Sequence, residues 1–331
     1  MFRNYLTVAI RNFARHKLYS FINLAGLTVG LASAILILLF VHDEMSYDAW
    51  EPDSGNVYQI TTALELPGSG NTIKSFHSPF TIGQAMRDGL TEVEARTRLI
   101  NRSSTVTIGD RPFAEFINFV DPNFFAVIRL PFVRGNASAL AQPSAVVLTE
   151  SQAKKYFGAA DPMGKTLTIG GKYAFSVAGI LADPPHNSQF QGKIYFSNES
   201  PACMNYDRDE WFSLPAKTFV RLVPGADAKA AAAKTKLLIR RFADPRKFIQ
   251  TTLTGDQILR AKLVRLADVH LAGDGEVETL DGDQSVGSKA LVYGFAAIAA
   301  LILAIAAFNF TNLATARAML RAREVGLRKV L

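Results

Sequence analysis

The residues that come closest to a chemical motif are Ala159, Gly164, Lys165 and Thr166, which follow the spacing of a phosphate-binding loop. In such a loop, backbone amides and a lysine surround the phosphates of a nucleotide. The loop must follow a strand and open a helix whose N-terminus points at the phosphate. Here the motif begins with alanine, follows a predicted helix and leads into a strand-like stretch at 166–169. The sequence therefore predicts a turn and no nucleotide site.

A second candidate for chemistry is a group of four residues of metal-ligand type, His42, Asp43, Glu44 and Asp48. Such side chains coordinate a metal when further ligands complete the coordination sphere. No matching group recurs later in the sequence. A solvated polar collar is therefore the favoured interpretation, and we expect no metal.

Catalytic constellations are also missing from the sequence. None of the five histidines belongs to an HExxH motif, and Cys203, the single cysteine, has no recognisable partner motif. A membrane-anchored hydrolase would need a nucleophile constellation that we do not find. We expect no catalytic residues, no cofactor and no enzymatic activity.

Two uncharged stretches, 18–41 and 290–310, organise the rest of the chain. At about 1.5 Å per residue, each is long enough as a helix to cross a hydrocarbon layer of about 30 Å. The first stretch is too long for the apolar region of a cleaved signal peptide, and no small-residue cleavage site follows it. Both stretches are therefore predicted to be transmembrane helices.

Each predicted span carries a row of small residues at intervals of four. Small residues let another helix backbone approach closely, although glycine is also simply tolerated in lipid. The helix-packing residues predicted in this way are Gly26, Gly30, Ala34, Ala296, Ala300 and Ala304.

The positive charge lies at the two ends of the chain. Residues 1–17 and 311–331 each carry a net charge of +4, so almost nothing of the total of +7 remains for the segment between them. This distribution disfavours a nucleic-acid partner and favours membrane lipid. Basic clusters beside the outer ends of two spans place both termini in the cytoplasm and 42–289 outside the inner membrane.

The exported segment reads as a mixture of strands and helices. Strand-like runs begin at Val57, and a strand at Ala145 leads into a helix that Thr149 caps and Gly158 ends. Strand, alanine-rich helix and strand follow between Lys217 and His270. The predicted fold class is a membrane protein of α+β type.

Both cytoplasmic ends are predicted to be helical. Residues 1–17 form an amphipathic helix suited to the membrane surface, although packing against protein would give the same pattern. In 311–331, Arg317, Arg321, Glu324 and Arg328 form a charged face that fits anionic lipid or a partner protein.

Several stretches together resemble the MacB/FtsX-type permeases of ABC transporters, in the family's order and over nearly the whole chain. They are RNFARHKLYSFINLAGLTVGLASAILILLFVHDEMSYD, PFVRG, AVVLTESQAKKYFGAADPMGKTL, DPPHNSQF, ADVHL and NFTNLATARAMLRAREVGLRKVL. The resemblance implies a periplasmic α/β domain of two subdomains, one porter-like and one sabre-like, the latter inserted at about 145–215. It also implies three kinds of partner: a separate ABC ATPase, a second permease half or homodimer, and a periplasmic adaptor protein.

The resemblance further implies a coupling segment that presses on the ATPase. The matching residues are Glu324, Gly326, Arg328 and Lys329, and Arg321 lies on the same charged face and is included with them. Motion of this segment would pass through the spans to the exported domain, which is mechanotransmission. Members of the family usually continue into two further spans, so we expect a fragment, a split subunit or half of a larger permease. The alternative is a two-span receptor with a periplasmic ligand-binding domain, which would need a cytoplasmic signalling module.

Overall fold

The chain divides into two compact units, which the computed structural model describes over residues 17–65, 68, 70–203, 210–247, 249–272 and 286–330. We call Met1–Met45 with Ser288–Leu331 the helical unit, and Ser46–Gly287 the sheet unit. The predicted amphipathic helix at 1–17 lies outside the described residues, apart from its last residue.

The helices are α1 (Lys17–Met45), α2 (Ile82–Gly89), α3 (Phe124–Val127), α4 (Glu150–Phe157), α5 (Ala228–Phe242), α6 (Gly255–Ile258) and α7 (Lys289–Val330). The strands are β1 (Val57–Glu65), β2 (Thr72–Ser75), β3 (Val93–Ile108), β4 (Arg111–Val120), β5 (Phe132–Arg134), β6 (Ala145–Thr149), β7 (Thr166–Ile169), β8 (Tyr173–Leu181), β9 (Ile194–Ser197), β10 (Lys217–Leu222) and β11 (Leu259–Arg265).

Both predicted spans are helical, because α1 covers 18–41 and α7 covers 290–310. Within them, Leu24–Met45 and Lys289–Asn312 are long and apolar enough to cross a membrane. Large apolar side chains such as Leu36 and Phe308 are exposed on the helical unit. A helix that is apolar all round is suited to lipid rather than to water. Beyond its apolar part, α7 continues as one helix to Val330.

The sheet unit is built on one eleven-stranded sheet. Its main path runs β11-β1-β10-β3-β4-β9-β6-β8-β5, with β2 beside β1 and β7 between β3 and β8. Its described pairings are antiparallel, except those of β4 with β9 and of β6 with β8. The 16-residue strand β3 pairs with β10, β4 and β7, so it connects the two ends of the sheet.

One end of the sheet carries a split βαβ arrangement. Strands β10 and β11 are both antiparallel to β1, which lies between them, and α5 connects them. Helix α5 is capped by Asp227, whose carboxylate accepts a hydrogen bond from the Lys229 amide, and the helix buries Ala231, Thr235 and Ile239. Helix α2 lies on the same part of the core with Ile82 and Met86.

The other end of the sheet contains β6, α4, β7, β8 and β9, all from the segment predicted as an inserted subdomain at about 145–215. These strands join the rest of the sheet through β4 and β3. A separate subdomain therefore stays a prediction. The predicted fold class, a mixed α/β domain between two long apolar helices, is confirmed.

Candidate functional site

The two helices of the helical unit pack antiparallel to each other. Gly30 faces Ala306 and Ile302, where a Cβ built on the glycine would lie 3.6 Å and 3.7 Å from their side chains. Further along, the rings of Phe40 and Phe295 meet edge to face at 5.4 Å. Gly30 therefore lies at the point where the absence of a side chain lets the two backbones come close.

The face of α1 that lies on α7 follows alternating steps of three and four residues. Its most buried members are Ala34 and Val41. Gly30 and Ile37 lie on the same face and are half-buried. A strict step of four drifts around a helix by about 40° per step, so it leaves the contact face. Gly26, the first of the predicted row on α1, is accordingly exposed, and a Cβ added to it would lie 4.0 Å from the Asn309 side chain.

On α7 the contact face contains Val292, Ala299 and Ala306, with Ala296 half-buried. The predicted residues Ala300 and Ala304 are exposed and lie off this face. Their packing against a helix outside this chain stays a prediction.

The predicted coupling residues lie in the last part of α7, which is helical to Val330. The side chains of Arg321, Glu324, Gly326, Arg328 and Lys329 lie outside the described residues. Their contact with an ATPase stays a prediction.

In the sheet unit, stretches that are distant in sequence meet in one cluster, which we call the clasp: Ser46–Asp48, Asn187–Gln189, His270 and Gly287. The Asp48 amide donates to the Asn187 carbonyl at 2.9 Å, and the Asn187 side-chain amide donates to the Ser46 hydroxyl at 2.9 Å. The first stretch is thus held by main-chain and side-chain bonds.

Asp48 is the centre of this cluster. Its side chain is fully buried, and one carboxylate oxygen accepts hydrogen bonds from the Ser188 hydroxyl at 2.9 Å and the Gln189 amide at 3.0 Å. Burial raises the pKa of Asp48 to about 6, although these hydrogen bonds and the charge of His270 act to lower it. Its φ of 54° is left-handed, a conformation that aspartate tolerates better than most residues.

His270 contacts residues from both ends of the sheet unit. The Tyr47 ring stacks on its imidazole with ring centres 3.7 Å apart and planes 6° from parallel. The Gly287 amide donates to its carbonyl at 2.8 Å. Since α1 ends at Met45 and α7 begins at Lys289, each contact lies within two residues of the end of an apolar helix.

The clasp corrects the prediction of a solvated collar, because Asp48 is buried while His42 is exposed. Among the described residues, no three histidine, cysteine or acidic side chains are grouped as metal ligands would be. Sequence reasoning missed the clasp because the hydrogen-bond partners of Asp48 lie about 140 residues away from it. The signal available was that HDEMSYD, DPPHNSQF and ADVHL are three of the stretches that carry the family resemblance.

The phosphate-loop pattern forms a turn, as predicted, and Thr166 starts strand β7. The Gly164 amide donates to the Val177 carbonyl and the Lys165 amide to the Pro162 carbonyl. The Lys165 ammonium lies 5.1 Å from the centre of the Phe157 ring. These two amides are therefore bonded to the main chain and do not point at a phosphate.

A buried ion pair joins β3 to the residue that directly follows β4. Arg98 on β3 binds both carboxylate oxygens of Asp121 at 2.7 Å and 3.0 Å, and Arg96 and Asn198 bind the same carboxylate. Burial alone would raise the pKa of Asp121, but the hydrogen bonds and charges of the arginines lower it below its ordinary value. This network is fully occupied with protein partners and reads as structural.

Comparison with known proteins agrees with this architecture. Residues 20–238 match the family model of the MacB-like periplasmic core domain, about two thirds of the chain. A domain of a protein assigned as a permease from Porphyromonas gingivalis has the same fold, with a TM-score of 0.54 and 20% identity over 65% of this chain and 91% of that one. No curated protein matched.

Two further solved structures are similar at a lower level. The periplasmic region of MacB from Actinobacillus actinomycetemcomitans has a TM-score of 0.42 and 17% identity over 57% of this chain and 84% of that one. The extracellular domain of the noncanonic ABC-type transporter YknZ from Gram-positive bacteria has a TM-score of 0.42 and 16% identity over 62% and 99% of the two chains.

Proposed function

The chain belongs to the family of MacB-like periplasmic core domains, which places it among the MacB/FtsX-type permeases of ABC transporters, and we propose that it works there by mechanotransmission. In this mechanism, ATP hydrolysis by a partner ATPase moves the cytoplasmic end of α7. The helical unit passes the motion through the inner membrane to the sheet unit in the periplasm. The chain itself hydrolyses nothing.

The observation that carries this proposal is the attachment of both ends of the sheet unit to His270. Tyr47 comes two residues after the end of α1, and Gly287 comes two residues before the start of α7. In the proposed mechanism, a displacement of either helix would act on one buried cluster, two residues from the end of each helix. The sheet unit would respond as a body because one continuous sheet runs through it.

The continuity of α7 supports the first step of the proposed mechanism, in which motion passes from the cytoplasmic end of α7 into the membrane. Its 42 residues span about 63 Å as one helix, of which the 24 residues Lys289–Asn312 could cross a membrane. The remainder carries Arg321, Glu324, Gly326, Arg328 and Lys329 without a break in the helix. A continuous helix transmits displacement along its axis, so these residues would act as the contact with the ATPase.

The distribution of charge supports the proposed orientation. The basic residues at 1–17 and 311–331 favour the cytoplasmic side and would lie among anionic lipid headgroups. Assembly would include a second copy or a second permease half, since Ala300 and Ala304 are exposed small residues on a helix suited to lipid. A periplasmic adaptor protein would complete the complex.

Co-purification tests the proposal. The full chain is co-expressed with the ABC ATPase encoded nearest to its gene, solubilised in detergent and isolated by a tag on the chain. We expect the ATPase to be recovered with the wild type and to be lost with the double variant Glu324→Ala, Arg328→Ala. The matched control Glu94→Ala, Arg240→Ala changes one exposed glutamate and one exposed arginine in the sheet unit and should leave recovery unchanged. Equal recovery with both double variants would remove the coupling role.

A further inference from the structure

The strongest unassigned feature of the sheet unit is a concentration of positive charge on α5 and the residues that follow it. The unit contains 26 basic and 26 acidic residues, so it has no net charge as a whole. Residues 228–247 contain seven of the basic residues and one acid, a net charge of +6, and the rest of the unit therefore carries −6. Helix α5 alone has five basic residues and no acid. The positive potential of the sheet unit is therefore concentrated at this helix.

The positive charge of α5 lies on the side of the helix that is turned away from the core. Ala231, Thr235 and Ile239 form the buried face of the helix. The opposite face follows steps of three and four residues, and we call it the basic surface: Lys229, Ala233, Lys236 and Leu237, all exposed. The ammonium groups of Lys229 and Lys236 have no ion-pair partner within the described part of the chain, whereas Lys234 at the edge of this face is paired with Glu92. Charges on the basic surface are therefore open to a negatively charged partner.

Apolar side chains lie among these cations. Leu237 is 63% exposed, and Phe242 in the last turn of α5 is 48% exposed. A helix face that combines lysines with exposed apolar side chains is typical of helices that lie at the headgroup level of a bilayer. A soluble anion such as phosphate would pair with the lysines but would leave Leu237 and Phe242 in water.

From this combination we infer that the basic surface binds the anionic phospholipid headgroups of the bilayer that holds α1 and α7. Lipid phosphates would pair with Lys229 and Lys236, and Leu237 would enter the boundary between headgroups and acyl chains. The sheet unit is joined at both ends to helices suited to lipid, so a bilayer is present at a high effective concentration. This constant proximity favours lipid over an acidic segment of a soluble protein. The inference goes beyond the proposed function, because lipid binding by α5 needs neither an ATPase nor motion of α7.

The test uses the full chain in nanodiscs, with an environment-sensitive fluorophore attached through Ala233→Cys in a Cys203→Ser background. A phospholipid that carries a nitroxide near its headgroup quenches the fluorophore where the basic surface meets the bilayer. We expect strong quenching in bilayers with about a third phosphatidylglycerol and several-fold weaker quenching in phosphatidylcholine alone. Raising the salt from about 0.15 M to about 1 M should abolish this difference, because the Debye length falls from about 8 Å to about 3 Å.

The double variant Lys229→Gln, Lys236→Gln should lose most of the quenching in the anionic bilayer, since each lysine near an anionic surface contributes about a factor of five to binding. The matched control Lys154→Gln, Lys172→Gln removes two exposed lysines from other parts of the sheet unit and should be quenched like the labelled parent. All four lysines are exposed, so both double variants should keep the unfolding midpoint of the parent.

Three results would overturn the inference. The first is equal quenching in the neutral and the anionic bilayers, and the second is equal quenching in the parent and in Lys229→Gln, Lys236→Gln. The third is an absence of quenching in the anionic bilayer together with a saturable change of fluorescence on addition of hexaglutamate, which would assign the basic surface to an acidic protein segment. None of these results bears on recovery of the ATPase, so the inference and the proposed function fail separately.

Discussion

The rings of Tyr47 and His270 are stacked with centres 3.7 Å apart, and this contact joins the first residues of the sheet unit to the segment that follows its last strand. His270 also accepts the Gly287 amide, so the entry and exit of the unit share one residue. An aromatic pair adds about 0.5–1.5 kcal/mol beyond the area that it buries. The stacking therefore contributes a small stabilisation, which local opening of the unit can overcome.

Replacing Tyr47 by alanine should loosen the entry of the sheet unit without unfolding it. The stacking on His270 is lost, and the neighbouring Asp48 amide, bonded to Asn187, should exchange its hydrogen roughly 2–10 times faster. Hydrogen exchange followed by mass spectrometry on the full chain measures this rate.

His270→Ala should have the same effect from the other side of the stack. Lys154→Ala, which alters an exposed residue of α4 outside the clasp, serves as the control and should leave the Asp48 amide unchanged. An unchanged exchange rate in both Tyr47→Ala and His270→Ala would show that the stack does not hold the clasp.

The sequence predicted correctly those helices and strands whose signals lie in neighbouring residues. Helix α4 lies between Thr149 and Gly158 as predicted, and β1 begins at Val57 as predicted. The clasp has no local signal, because Asp48 obtains its partners from residues about 140 positions away. Burial of a charged residue depends on such distant partners and is invisible in the surrounding polar sequence.

Two local patterns are misleading for the same kind of reason. Serine followed by proline at Ser78 is typical of a helix N-cap, but Ser78 forms a bridge with Ala216, and its hydroxyl donates to Thr218. The polar stretch around Arg102 is typical of a break between two strands, but β3 continues through it because β4 pairs with it residue by residue. In both places pairing with another strand overrides the local pattern.

Asp48 should give the chain a pH-dependent stability. Its pKa of about 6 is above the ordinary value of 3.8, so the folded state binds a proton more tightly than the unfolded state. Stability should therefore fall as the pH rises from about 4 to about 6, and the cost of ionised Asp48 at pH 7 is about 2–3 kcal/mol.

Asp48→Asn isolates this contribution, because asparagine keeps an oxygen for Ser188 and tolerates the same left-handed backbone. The variant should be more stable than the wild type at pH 7, and the difference should shrink towards pH 4. Denaturant unfolding followed by tryptophan fluorescence measures it in the sheet unit, where both tryptophans, Trp50 and Trp211, lie. A difference that stays constant between pH 7 and pH 4 would contradict the assignment.

Gly30 should be required for close packing of α1 and α7. A leucine at this position would overlap Ala306 and Ile302 and force the helices apart. Cysteines introduced at Phe40 and Phe295 in a Cys203→Ser background report on their approach, since those two rings are in contact. We expect Gly30→Leu to lower the yield of the disulfide several-fold.

Gly294→Leu is the matched control for Gly30→Leu, because no described atom lies within 4 Å of the position that its Cβ would occupy. It lies on α7 one residue from the cysteine at 295, so it also tests for local effects on reactivity. Equal yields in the two leucine variants would show that the packing of α1 on α7 does not depend on Gly30.

Asp121 should be among the residues on which the stability of the sheet unit most depends. Asp121→Asn leaves Arg98 buried beside an uncharged partner, and breaking a buried pair in this way costs about 3–5 kcal/mol. Because the pKa of Asp121 is lowered in the folded state, its stabilisation is present above the ordinary value of 3.8 and is lost as the pH falls below it. The advantage of the wild type over Asp121→Asn should therefore be full at pH 7 and decrease in acid.

Asp161→Asn, which removes the exposed partner of Arg134, should change the unfolding curve little at either pH. If the two variants unfolded at the same denaturant concentration, the pair of Arg98 and Asp121 would have no special part in holding β3 to β4.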